Sequence, residues 1–476
     1  VSNVKSYLVA GEWIQGSDAF DVTAPWDDSV VAQVGKPSPA DVETAVKAAH
    51  EAFEQTRKLP VHVRAEALMH ISNGIIERAD EVAEIIAREG GKPLKWAKVE
   101  AARAASTFRW AAEEIRHFDG DVMRLDTEAS LGSRVAIIRR FPLGPVLAIT
   151  PFNFPVNLVA HKMAPSLAVG CPIVIKPATK TPLGALFLAE LFSETDLPAG
   201  MLSVLPIGGK EAGEFARDDR FKKISFTGSS QVGWDLKKAD PKKAVTLELG
   251  GNAGVIVHSD GDLDKAAQRI AFGGYYQAGQ SCISVQRVFA QNDIAEEFKQ
   301  KLIDEVGKLK VGDPMDPDTD VGPLIDHASL EKVSSWVDEA VQGGAEILVG
   351  GKREDPLYHP TVLSKTRRDM KVRQEEIFGP VTTFETYDTF EEAIALANET
   401  NYGLQGGVFT RDIGRIWQAH RDMEVGGVIV NDVSAFRADQ MPYGGTKDSG
   451  VGREGLRYAM AEMTEPKVLV LSDVPL

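Results

Sequence analysis

Among 476 residues there are two cysteines, Cys171 and Cys282. Cys282 lies in Ala278-Gly279-Gln280-Ser281-Cys282-Ile283. The glycine and its small neighbours allow a tight backbone that leaves a sulfur accessible. A thiol is also the strongest side-chain nucleophile near neutral pH. The alternative for any cysteine is a buried structural role. Cys171, in Val169-Gly170-Cys171-Pro172 before a strand, takes that role. Glu248 stands between leucines in Leu247-Glu248-Leu249-Gly250-Gly251. A carboxylate so placed is costly unless paired or functional, and desolvation would make it a general base. It can instead be a strand-edge glutamate facing solvent. Asn153 is pinned in Pro151-Phe152-Asn153-Phe154-Pro155. Its amide can donate in a fixed direction, as an oxyanion hole requires, with a backbone N–H near the nucleophile as second donor. A plain turn asparagine is the other reading.

A second group of residues suits a nucleotide. The strand Ile224-Ser225-Phe226-Thr227 runs into Gly228-Ser229-Ser230-Gln231-Val232-Gly233, and a helix start binds phosphate through its free N–H groups. Lys176 ends a strand, where ligands bind in open α/β sheets. Glu376, in Glu375-Glu376-Ile377-Phe378-Gly379-Pro380, offers a carboxylate to ribose hydroxyls. Gly450-Val451-Gly452-Arg453-Glu454-Gly455 matches GxGxxG literally, but no strand precedes it and no βαβ frame surrounds it. It is expected to be a tight glycine turn. No HExxH, P-loop or GxSxG occurs, and two thiols without matching histidines make no structural zinc site.

These residues need elements to hold them. Residues 39 to 117 read as helices. Val42, Ala45, Val46, Ala49 and Phe53 share one helical face, and Ala67, Leu68, Ile71, Ile75 and Ile76 continue the pattern. Gly90 and Gly91 end a helix. From about residue 145, apolar runs alternate with crossover-length segments: 146–150, 173–175, 202–205, 223–226 and 255–257. That texture implies a parallel sheet covered on both faces. A second alternating region spans roughly 248 to 431, with strand-like runs at 284–290, 347–349 and 428–430. Thr389-Phe390-Glu391-Glu392 is expected to be a capping box. Residues 118 to 142 read as a polar hairpin and 466 to 476 as a strand, both able to extend a neighbour's sheet. Two α/β units side by side form a cleft for a ligand.

The net charge of -16 and pI near 5.2 disfavour nucleic acid, and no basic run relieves this. Length suggests roughly three domains. No signal-peptide core or membrane-length apolar stretch occurs, and with two cysteines a reduced, cytoplasmic setting is expected.

Taken together, PFNFP at 151, KPA at 176, FTGSSQVG at 226, LELGG at 247, GQSC at 279, EEIFGP at 375 and PYGGTKDSG at 442 resemble the aldehyde dehydrogenase superfamily, in order and along nearly the whole chain. The resemblance implies an α/β fold with two doubly wound domains and a small β oligomerisation arm. The NAD(P)-binding domain would be 1–117 with 139–247, and the catalytic domain 248–431. The arm would be 118–138 with 450–476, and 432–449 would be a connecting segment lining the substrate pocket. It implies that Cys282 attacks an aldehyde, that Asn153 and the Cys282 N–H hold the oxyanion, and that Glu248 activates the water hydrolysing the thioester. The implied cofactor, NAD or NADP, would be met by Thr150, Pro151, Phe152, Lys176, Thr179, Gly209, Gly213, Phe226, Thr227, Gly228, Ser229, Gly233, Glu376 and Phe378. Many NAD-preferring relatives carry glutamate where this chain has Thr179, so NADP use is open, with Lys180 a candidate partner for its extra phosphate.

The positions matching the family's substrate pocket are Phe154, Asn157, Leu158, His161, Ser281, Ile283 and Arg437. A guanidinium there suits a carboxylate or phosphate. A short polar aldehyde follows, hydroxylated or anionic: lactaldehyde, glyceraldehyde or its phosphate, or a semialdehyde. The wording of GQSCISVQR and FRADQMPYGG is closest to the lactaldehyde and glyceraldehyde-type branch. Arg437 can alternatively be spent on Asp439 or another carboxylate. Rival outcomes are transfer of the acyl group to coenzyme A, and a non-catalytic nucleotide-binding relative. The resemblance further implies a homodimer or homotetramer, with no metal, nucleic-acid or membrane partner.

Overall fold

The structure, a computed structural model, describes residues 4–473. Its first sheet has eight strands. Five are parallel and lie side by side in the order Leu202–Val204, Ile173–Lys176, Val146–Ile149, Lys223–Thr227 and Ala244–Glu248. The first four are buried at every residue, as apolar runs between two helical layers must be. Tyr7–Val9 and Glu12–Ile14 extend one edge antiparallel, and Gly450–Val451 closes the other against Leu247 and Glu248. The glycine-rich segment after residue 450 therefore begins as an edge strand and is more than a turn. The helix Leu456–Glu462 follows it and buries Leu456, Ala459 and Met460, at i, i+3 and i+4, with Leu456 and Met460 in the core of this first unit. Residues 450–463 thus sit with the first sheet, whereas the sequence reading put them in the arm.

The second sheet has seven strands in the order Glu346–Val349, Thr361–Ser364, Val381–Tyr387, Val285–Gln291, Ala253–Val257, Gln405–Phe409 and Gly427–Val430. All neighbours are parallel except the first pair. Residues 249–252 alone separate the last parallel strand of the first sheet from Ala253–Val257 of the second.

The expected hairpin is present as Gly120–Arg124 and Arg134–Pro142, and Thr464–Ser472 pairs along the whole second strand to make a separate three-stranded sheet. Residues 474–476 of the expected terminal strand lie outside the described residues.

Val42, Ala45, Val46 and Ala49 face the core and Phe53 is half-buried. Ile76 departs from its expected face and is 61% exposed, because it falls in the last turn of the helix Val61–Glu77. Gly91 caps the helix Ala79–Gly90 in the left-handed region. The capping box at Thr389 is half made. Thr389 accepts from the Glu392 N–H, but the Glu392 carboxylate accepts from Asp388 rather than Thr389. Among the described residues no helix is long and apolar enough to cross a membrane.

Candidate active site

Strand order reverses at Val146–Ile149. From there the chain steps outward through 173 and 202, then returns to 223 on the other side. Ligands in open α/β sheets bind beyond the carboxyl ends of strands at such a point. Thr150 to Asn153, Lys176, Thr227 to Ser229 and Glu248 all leave their strands here.

The thiol comes from the other sheet, just before Val285–Gln291. Ahead of it, Gln277, Ala278 and Gly279 are consecutively left-handed, with φ of 53°, 53° and 68°. Two non-glycine residues in that region store strain that the surroundings must hold. A side chain at Gly279 would strike the Gly379 carbonyl at 2.1 Å. Cys282 remains partly open while Cys171 is buried. The Cys282 sulfur lies 3.1 Å from the Tyr443 hydroxyl. Burial pushes its thiol up to about 12, and the Tyr443 bond works against that rise. The carbonyl of Cys282 lies 2.1 Å from where a Cβ on Gly251 would be, so only glycine lets the two backbones meet.

Asn153 is 3% exposed. Its Nδ2 donates to the Gln280 carbonyl at 3.0 Å, and its own carbonyl accepts from Gln277. The loop is thereby tied to the backbone two residues before the thiol, and one amide N–H remains for another acceptor. Glu248 is 2% exposed and neither of its carboxylate oxygens has a partner among the described residues. Burial, then the nearby Glu454, hold it well above the usual carboxylate range. Glu454 is paired with Lys162 at 2.9 Å and Arg437 at 3.0 Å, which hold its carboxyl well below that range despite burial.

The nucleotide candidates form a cradle. Ser229 precedes the ten-residue helix Ser230–Ala239 without capping it by its side chain, leaving the first N–H groups for an anion. A Cβ on Gly209 or Gly213 would meet nothing within 4 Å, so a ligand can approach that backbone closely. The Thr227 hydroxyl is buried without a partner among the described residues. Lys176 is 7% exposed and its ammonium is held below its ordinary value by burial. Thr179 is exposed, and Lys180 is paired with Asp326 at 2.7 Å. Phe152 meets Phe378 edge-on at 5.9 Å, with Phe378 at φ 52°. Glu376 accepts from the Gly251 N–H at 2.9 Å, and burial raises it to about 7. These residues fit a dinucleotide: an anion-ready helix start, open glycine backbone, a cation and a carboxylate at strand and loop ends.

The substrate candidates divide. Phe154 and Arg437 line a cavity of about 200 Å³ with Lys92, Arg103, Tyr276 and Gln277. Ser281 accepts from the Tyr276 hydroxyl at 2.8 Å, and Ile283 packs with Leu404 and Tyr443 beside the thiol. Asn157, Leu158 and His161 lie on the helix Asn157–Val169, buried at every residue, and do not line that cavity. Asn157 meets Thr107 at 3.3 Å and His161 meets Asp439 at 3.1 Å. Arg437 does have a carboxylate, but it is Glu454; Asp439 is taken by Arg103 at 2.8 Å. A larger cavity of about 670 Å³ lies at the root of the arm and contains none of the candidates.

Sequence reasoning missed Tyr443, Glu454, Lys162 and Arg103. Tyr443 and Glu454 lay inside quoted motifs, PYGGTKDSG and Gly450–Gly455, without their roles being read, and Lys162 left the signal of a lysine in a mostly apolar helix.

Comparison with known proteins places these features. The family described as "Aldehyde dehydrogenase family" matches residues 13–469. The chain is 42% identical to 3-sulfolactaldehyde dehydrogenase of Priestia aryabhattai, over 99% of each chain. It is similar to the crystal structure of aldehyde dehydrogenase 21 from Physcomitrella patens in complex with the product succinate. That match has a TM-score of 0.97 and 42% identity, covering 100% of this chain and 99% of that one. The structure of the glyceraldehyde-3-phosphate dehydrogenase GapN from Methanocaldococcus jannaschii with NADP matches at a TM-score of 0.92 and 38% identity, covering 96% and 100%.

Proposed function

This chain belongs to the aldehyde dehydrogenase family and oxidises an aldehyde to its carboxylic acid with NAD or NADP, and from that premise we propose how its residues divide the work. The Cys282 sulfur bonds to the aldehyde carbon, and its proton passes to solvent or a neighbouring base. The free N–H of Asn153 and the Cys282 backbone N–H stabilise the oxyanion. The hydride then leaves that carbon, for which a nicotinamide would supply the acceptor when bound, and a thioester on Cys282 remains. Glu248 takes a proton from water as the water attacks the thioester carbon. The carbon–sulfur bond breaks, and the acid and the thiol result. Lys176 and Glu376 would hold ribose hydroxyls, and the start of the helix Ser230–Ala239 would hold the pyrophosphate. Position 179 carries no carboxylate to repel a 2′-phosphate, so both dinucleotides belong in any assay.

The observation that carries this reading is Glu248: a buried carboxyl with both oxygens free and its proton affinity raised, on the strand end that leads into the contact with Cys282. Such a group has no structural use and suits a base for water. It favours hydrolysis over transfer to coenzyme A. The substrate we propose is a short polar aldehyde, hydroxylated or anionic. The relatives named for sulfolactaldehyde and glyceraldehyde 3-phosphate, and the one bound to succinate, support that class.

The protein works as a homodimer or homotetramer in a reducing, cytoplasmic setting. Both cysteines are free, and the strand Thr464–Ser472 exposes four consecutive apolar residues for a second copy to cover.

The test is an assay of lactaldehyde, glyceraldehyde 3-phosphate, succinic semialdehyde and hexanal with each dinucleotide, using Cys282→Ala as the blank. Polar substrates should exceed hexanal by about tenfold or more in kcat/KM. Turnover by Cys282→Ala would sink the thioester route, and preference for hexanal would sink the substrate class.

A further inference from the structure

The strand Val285–Gln291, which starts just past the thiol, carries a glutamine and an arginine at its second and third positions, and both are buried. A primary amide has two N–H donors and a carbonyl acceptor, and a buried end left unused costs free energy. Gln286 uses both ends. Its Nε2 donates to the Gly251 carbonyl at 2.9 Å, and its Oε1 accepts from the Ile377 N–H at 3.2 Å. The first of those backbones follows Glu248, and the second joins Glu376 to Phe378.

A third bond closes a ring. The Gly251 N–H donates to Glu376 Oε1 at 2.9 Å. The circuit runs from Gln286 to Gly251, on to the Glu376 carboxylate, along the chain to Ile377 and back to Gln286. Glu376 Oε2 is turned toward Gly250, where a Cβ would lie 2.6 Å from it. The adjacent residue braces the same two segments. Arg287 donates to the Asn252 carbonyl from Nε at 3.1 Å and from Nη2 at 2.8 Å, and Asn252 Nδ2 donates to the Arg373 carbonyl at 2.9 Å. Because Gly251 also meets the Cys282 carbonyl, the ring ties Glu376 to the backbone of the thiol.

Hydride leaves the carbon that Cys282 bonds, so the nicotinamide half of a dinucleotide must lie on the thiol side. The segment Glu376 to Phe378 is held to that side. Lys176 and the start of the helix Ser230–Ala239 belong to the first sheet and are left for the rest of the dinucleotide.

We propose that Gln286 is a positioning residue that sets the segment Glu376 to Phe378 against the thiol and so fixes the nicotinamide half of the cofactor. It acts through Gly251 and Ile377 and touches neither dinucleotide nor aldehyde. The proposal rests on the proposed role of Glu376 at a ribose.

Gln286→Met keeps the side-chain length and removes both bonds. Calorimetric titration with NAD, NADP and ADP reads the effect without turnover, since ADP lacks the nicotinamide half. The dinucleotide that the parent binds more tightly should bind Gln286→Met about tenfold or more weakly, with ADP within about threefold. The KM for that dinucleotide should rise, with the KM for aldehyde within about threefold. Equal weakening of ADP and dinucleotide, or of neither, overturns the proposal. Tyr387→Phe is the control for general loosening. It removes buried bonds to Val257 and His258 at the opposite end of the same sheet, and should lower the thermal midpoint and leave both affinities as they are. A dinucleotide loss there as large as in Gln286→Met overturns the proposal. Glu376→Gln separates the proposal from the reading beneath it. Weakening in Glu376→Gln with none in Gln286→Met removes the role of Gln286 and leaves the ribose contact standing. Weakening in Gln286→Met with none in Glu376→Gln supports Gln286 and removes Glu376 as the ribose ligand. Hydrogen exchange on the parent serves if Gln286→Met does not fold. Ile377 lies outside any helix or strand, yet its N–H should exchange as slowly as those of Val285–Gln291. Fast exchange at Ile377 overturns the proposal.

Discussion

A phenol hydroxyl 3.1 Å from a thiol stabilises the thiolate more than the thiol, because a hydrogen bond to a charged group outweighs one to a neutral group. Arg437 stacked on the Tyr443 ring adds positive potential on the same side. In Tyr443→Phe the Cys282 thiol should ionise later still, and alkylation by iodoacetamide at fixed pH should slow by roughly tenfold. An unchanged alkylation profile would show that the hydroxyl serves packing alone. Glu248 titrates in the opposite functional sense. Its affinity for a proton is raised by burial and by Glu454, so the protonated form persists upward from the ordinary carboxylate range and the basic form grows as pH rises. Thioester hydrolysis should therefore accelerate with pH until Glu248 has ionised. Glu248→Gln should abolish that limb and leave one burst of reduced dinucleotide per subunit, seen by rapid-mixing absorbance. A full steady-state rate in Glu248→Gln would remove it from the hydrolytic step.

At the scale of elements, the Asn153 loop depends on a carboxylate from another helix. Glu100, on Leu94–Glu114, accepts from the N–H groups of Val156 and Asn157 at 3.0 and 3.1 Å and pairs with buried Lys92. It thus caps the helix that follows Asn153. Glu100→Ala strips both N–H groups and leaves Lys92 without its counterion, at a cost of about 3–5 kcal/mol. The thermal midpoint should fall, and kcat with it, whereas Glu100→Gln should retain part of both because its amide oxygen still accepts. Similar midpoints for the two variants would contradict the cap. The parallel strands near 146–149, 173–176, 202–204, 223–227, 253–257, 285–291 and 427–430 were legible in the sequence as short β-rich runs, whereas Thr361–Ser364, Val381–Tyr387 and Gln405–Phe409 were missed because polar residues or glycines break their apolar pattern. Tyr7–Val9 and Glu12–Ile14 were not legible either, since three residues are too few to show a period. The site was legible only where chemistry is local to a motif, as at Cys282, Glu248 and Asn153. Arg103 meets Asp439 across 336 positions and Lys162 meets Glu454 across 292, and such pairs leave no local pattern.

For the whole molecule, the arm presents Val468, Leu469, Val470 and Leu471 in succession, 38–57% exposed. Consecutive residues alternate faces, so both faces of this edge strand are apolar and open, a surface that a lone chain in water does not keep. Val468→Asp with Val470→Asp should reduce the mass in light scattering toward the single-chain 51.6 kDa. An unchanged mass would place the contact elsewhere. Cys282 and the segment that follows Glu248 are registered by backbone meeting backbone, Gly251 against the Cys282 carbonyl, while the wall of the neighbouring cavity is made of side chains on the separate helices Leu94–Glu114 and Leu263–Tyr275 and the segment around Arg437. Descendants of this sequence can therefore drift in diet, exchanging one wall residue at a time, while the oxidation itself is inherited intact.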